Sequence, residues 1–163
     1  MTKFVRCLLA AALSAGAVSG VAAQNFNSLP TQVLSANPFG IMLEFFNAEY
    51  EHTAGESFTV GVGGSILTLD NDTYRSLDAF WRFYPEESLS PFQGWAFGIK
   101  AGVTSLDNTT YLGAGFDVDR SWLLGKNDNF YVSIGLGLKR LIGHDVGLKF
   151  VPTVRLVNIG YAF

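Results

Sequence analysis

Apolar and polar positions alternate residue by residue along most of this chain, in stretches divided by short polar turns. The sharpest stretch is 93–104. There Trp95, Phe97, Ile99, Ala101 and Val103 share one phase, and Gly94, Ala96, Gly98, Lys100, Gly102 and Thr104 share the other. A period of two is that of a strand with unlike faces. The same pattern predicts strands over 46–52, 57–69, 74–84, 111–124, 130–141 and 149–163. Turns are expected at 53–56, 70–72, 85–91, 107–108, 125–129 and 143–145. The stretch 33–41 has the weakest alternation and carries Pro38, which fits only a strand start, an edge or a bulge. Counting it gives eight strands, and an even number leaves both chain ends on one side.

In each stretch one phase is apolar and the other is small, polar or charged. The predicted fold is all-β: an eight-stranded antiparallel up-and-down transmembrane β-barrel over 32–163, with the apolar phase turned outward to hydrocarbon. A barrel of eight strands is wide enough only to be filled by its own side chains, which accounts for the 18 glycines. Glu49, Asp78, Arg82, Lys100, Asp117, Asp119 and Lys139 fall in the inward phase and form the expected structural charge network of the lumen. Such charges must pair or stay hydrated. Hairpin registers bring Lys100 within diagonal reach of Asp78 and Asp117, so Lys100 is expected to bridge them. Glu44, Arg75, Arg120 and Arg155 fall in the outward phase near strand ends. That position avoids the cost of about 2–4 kcal/mol for a lipid-facing charge at mid-bilayer.

The first 23 residues read as a cleaved signal peptide: Lys3 and Arg6, a short apolar run over 7–18, then Val21, Ala22 and Ala23 at the cleavage site. Residues 24–31 read as a short periplasmic lead-in. Cys7, the only cysteine, leaves with the signal, so the mature chain has no thiol chemistry. Loss of Lys3 and Arg6 takes the basic residues from 11 to 9 against 14 acids, a formal charge of −5 that argues against nucleic acid as a partner. Mean hydropathy is +0.25, yet no later apolar run is long enough for a spanning helix.

Little in the sequence suggests catalysis. His144 with Asp145 and His52 with Ser57 are the candidate acid–base pairs. Neighbours on a strand face apart, and a triad needs converging geometry rather than nearness in sequence. The glycine-rich stretches precede no helix, so they are not phosphate loops, and no metal-ligand cluster is present. No cofactor is expected. Three rivals to a non-catalytic envelope protein are a lipid A-active acyl hydrolase at the barrel rim, a small-solute pore and a soluble lipocalin-like carrier.

The chain ends on Tyr161 and Phe163, with Asn158 five residues before the end. This resembles the C-terminal assembly signal of bacterial outer-membrane barrels, which carries glycine where Asn158 stands. Asn37, Pro38 and Gly40, then Tyr50 and Glu51, then Trp81, Arg82, Phe83 and Tyr84, then Gly94 and Trp95, resemble the motifs of a family of uncharacterised small outer-membrane β-barrel domains. More loosely the chain is similar to barrels of the outer-membrane protein A and X type. The resemblance implies location in the bacterial outer membrane and a structural or interaction role in the envelope. It also implies the membrane's lipids, lipopolysaccharide and the barrel assembly machinery as partners.

Overall fold

The computed structural model describes residues 29–39, 45–69, 72–85, 91–106, 109–143 and 150–163. The expected signal peptide, Glu44, His144 and Asp145 lie outside them. Eight strands follow in order: β1 (Gln32–Ala36), β2 (Phe45–Gly55), β3 (Phe58–Leu69), β4 (Asp72–Phe83), β5 (Gly94–Leu106), β6 (Thr109–Leu124), β7 (Phe130–Ile142) and β8 (Phe150–Ala162). Each pairs antiparallel with its neighbours in sequence, and β8 returns to β1 to close the ring. The weak first strand shortens to the stretch before Asn37, whose side chain accepts from the Phe39 amide at 2.8 Å. The seam is fixed by the last residue. The Phe163 carbonyl accepts from Thr31 and Gln32 at 3.0 and 2.9 Å, and its amide donates to Gln32 at 2.9 Å.

One row of paired residues runs Leu34, Tyr50, Val62, Ala79, Ala101, Ala114, Arg140, Phe150. The seam pairs Ile159 with Ala36, so this row climbs by about ten residues in one circuit. That stagger fits strands tilted by roughly 40° to the axis of an eight-stranded ring. One end of the ring carries the start of β1, the end of β8 and the turns at 56–57 and 125–129; we call it the terminal end, and the other the loop end.

The two faces differ as the alternation predicts. Trp95, Phe97, Phe116 and Ile134 are 45, 49, 56 and 48 % exposed on the outer wall. The residues between them point inward and are buried or half-buried. One turn and one strand differ from expectation. β2 runs on to Gly55 through an irregularity at Ala54, which narrows the β2–β3 turn to Glu56 and Ser57. In β8, Ser133 faces Asn158 while Gly135 faces Arg155, so Leu156 and Val157 together oppose Ile134. This bulge inserts one residue and reverses the alternation beyond it. Counting back from Phe163 puts Arg155 on the outer wall; the bulge puts it inside, where it is 5 % exposed.

Candidate functional site

The lumen holds the protein's concentration of charge. Arg82, on β4, is its hub and is 1 % exposed. Its Nη1 lies 2.7 Å from Glu51 and its Nη2 3.0 Å from Glu49. Its Nε lies 3.0 Å from Asp119 and 3.6 Å from Asp117. Phe80, two residues earlier on the same face, lies under the guanidinium at 3.8 Å. Glu51 also accepts from the Thr59 hydroxyl and, at 3.0 Å, from the Tyr84 hydroxyl. Arg155 pairs with Glu49 and, at 3.2 Å, with Asp119.

Nearer the loop end, Lys100 lies 3.1 Å from Asp117 and donates to Thr153 at 2.8 Å. Lys139 pairs with Asp78 and donates to Ser76 at 3.0 Å and Thr104 at 2.8 Å. The ammonium that meets Asp78 is thus that of Lys139, while Lys100 serves Asp117. All seven residues expected in the lumen network are there, and Glu51, Arg155 and Tyr84 join them.

Glycine creates the room for these pairs. Arg82, Gly98 and Asp117 form one row across β4, β5 and β6. Because Gly98 has no side chain, its two neighbours meet above it; a Cβ there would strike the Asp117 carboxylate and come within 3.0 Å of Arg82 Cγ. Asp119, Gly135 and Arg155 repeat the arrangement across β6, β7 and β8, and a Cβ on Gly135 would strike the Asp119 carboxylate.

Above the hub is a cavity of about 80 Å³ lined by Glu49, Asp78, Lys100, Asp117, Lys139 and Arg155 among others. It is large enough for a few water molecules, and these charged side chains give them polar partners. At the terminal end the lumen is closed by Val33, Phe92, Leu123, Tyr131 and Ala162. Phe92 comes from the β4–β5 connection and is fully buried. Between this plug and the hub, Ser121, Ser133 and Asn158 lie in one row of β6, β7 and β8, with side-chain atoms that meet no protein partner.

The outer wall contrasts with the lumen. Its strand charges, among the described residues, are three arginines: Arg75, Arg120 and Arg140. Arg140, in the outward phase of β7, belongs with the outer-wall charges that the alternation identifies, although only Arg75 and Arg120 of those expected are seen there. Arg120 lies 5.2 and 5.8 Å from the ring centroids of Trp95 and Trp122 near the terminal end. Phe58 stacks on Trp81 at 5.1 Å and meets Phe83 at 5.3 Å at the same end. Tyr161 and Phe163, the residues of the expected assembly signal, stack at 6.1 Å and face outward. His52 projects from this wall while its neighbour Glu51 turns into the lumen, so the two side chains face apart. Among the described residues no group of three or more His, Cys, Asp or Glu is arranged to hold a metal.

No family model, curated protein or solved structure matches this chain.

Proposed function

We propose that this chain is an outer-membrane β-barrel of the bacterial envelope, with a structural or interaction role and no catalysis. One observation carries the reading. Every acidic strand side chain described lies in the lumen, while the outer wall is apolar between arginines near its two ends. On β5 the apolar outward residues run from Trp95 to Val103, a rise of about 20 Å at 3.3 Å per residue and a 40° tilt. That fills most of the height of the apolar band of outer-membrane barrels, about 25 Å. Water would leave this wall as one continuous apolar patch, far beyond what soluble proteins expose. The aromatic cluster at the terminal end fits an interfacial girdle.

The rivals fit less well. A lipocalin-like carrier needs an apolar interior, and this one is filled with ion pairs. A pore needs a continuous channel, and Phe92 and the Arg82 layer occupy this one. A rim hydrolase needs a converging set, and Glu51 points away from His52. The resemblance in Asn37 to Trp95 and in the Tyr161–Phe163 ending supports recognition by the assembly machinery. Cell fractionation with heat-modifiable gel mobility tests the reading. Recovery in the outer membrane, with a mobility shift on boiling, is expected; recovery in the soluble periplasmic fraction contradicts it.

A further inference from the structure

One row of inward positions carries only hydroxyl and amide side chains for a full turn of the lumen. It starts below the hub with Ser121, Ser133 and Asn158, paired across β6, β7 and β8. Asn37 follows, one position past the seam pair of Ala36 with Ile159, and its amide donates to the Asn47 carbonyl at 3.0 Å. Asn47, Ser65, Ser76 and Thr104 then continue the row across β2, β3, β4 and β5. The row crosses the hub layer. On β8, Asn158 lies on the terminal side of Arg155; on β2, Asn47 lies on the loop side of Glu49. Between them Asn37 passes the level at which Glu49 pairs with Arg155. Beyond it the row lines the cavity, where Asn47, Ser65, Ser76 and Thr104 all contribute. From Ser121 to Asn47 the row is buried, at most 6 % exposed. Yet Ser121 Oγ, Ser133 Oγ, both amide atoms of Asn158, Asn37 Nδ2 and Asn47 Oδ1 meet no hydrogen-bond partner among the described residues.

A buried donor or acceptor left without a partner carries its whole desolvation cost. Neighbouring positions in such a row hold their Cβ atoms about 4.5–5.5 Å apart, and side chains as short as these leave a gap between them. One water bridges that gap with two hydrogen bonds, and the row offers it the further partners that buried water needs. We propose that a thread of bound water follows this row, from the cavity, past the Arg82 layer along β2, β1 and β8, to the plug. The Arg82 layer then bars ions while water passes beside it. The occupant is water rather than a cation, because no carboxylate belongs to the row. Glu49 and Asp119, which flank it, are already held by Arg155. The thread belongs to the closed ring itself and does not depend on where the barrel resides.

The test uses the full mature barrel refolded in detergent micelles, in buffer made with heavy-oxygen water, and X-ray radiolysis that labels side chains beside bound water. The reporters are Leu123 and Tyr131, which share the inward faces of Ser121 and Ser133 and are 7 and 1 % exposed. Heavy oxygen is expected on these side chains despite their burial. The Ser133→Ala/Asn158→Leu double variant is expected to carry severalfold less. Label on neither residue in the wild type overturns the proposal, even where the variant fails to refold, and so does equal labelling of wild type and variant. Stability supplies a second readout through its sign. Ser121→Ala takes a partner from the thread and is expected to lower the urea midpoint. A dry row would gain from losing a stranded hydroxyl, so a midpoint that holds or rises contradicts the proposal.

Discussion

The residue that organises the interior is Arg82. A buried ion pair is a poor source of net stability, but removal of one partner strands the other as an uncompensated charge. Arg82 faces four carboxylates, so Arg82→Met is expected to lower unfolding free energy by about 3–5 kcal/mol, read by urea titration in micelles. Arg155→Met should fall in the same class, because Arg155 is inside with Glu49 and Asp119. Arg75→Met on the outer wall is expected to stay within about 0.5 kcal/mol of wild type. If Arg155→Met behaved like Arg75→Met, Arg155 would be outside and the bulge in β8 would be absent. The glycines between charged neighbours make a companion case. Gly135→Ala puts a methyl group where the Asp119 carboxylate lies, and is expected to destabilise as strongly as the loss of the Arg155 pair.

At the scale of elements, the strands were legible because the chain repeats one rule: apolar outward, small or charged inward. The wall's outer phase is thus the part most exposed to test. Ile99→Arg places a charge at mid-height on β5 and is expected to cost about 2–4 kcal/mol in a lipid environment, read by urea titration of the protein in vesicles. Single-strand alternation could not reveal the bulge. Leu156 and Val157 are both apolar, so nothing in their sequence marks which one is extra. The signal lay in registers: Asp119, Gly135 and Arg155 form a row of charge, glycine, charge, as do Arg82, Gly98 and Asp117. A reading that sought glycines flanked across strands by opposite charges would have drawn Arg155 inward. The expected link from Lys100 to Asp78 failed for a related reason. Diagonal reach alone does not say which of two lysines arrives, and Lys139 is anchored beside Asp78 by Ser76 and Thr104. Deleting Leu156 should remove the bulge while leaving Arg155 opposite Gly135 in the lumen, so the heat-modifiable folded band is expected to persist.

For the whole molecule, the order along the axis is an apolar plug, a polar row, the Arg82 layer and a small cavity towards the loop end. A seal made of two unlike layers is redundant. Phe92→Ala is expected to cost about 3–5 kcal/mol as a cavity, yet planar-bilayer recordings of that variant should still show no conductance steps, because the Arg82 layer remains. Steps in the wild-type protein would contradict the sealed lumen outright. The claim beneath all of this is that the apolar phase touches acyl chains. All three tryptophans, Trp81, Trp95 and Trp122, lie in that phase. The most direct measurement is therefore tryptophan fluorescence of the refolded protein in vesicles whose lipids carry bromine on the acyl chains. Strong quenching relative to unbrominated vesicles is expected; emission unchanged by bromine would mean that this wall does not face lipid.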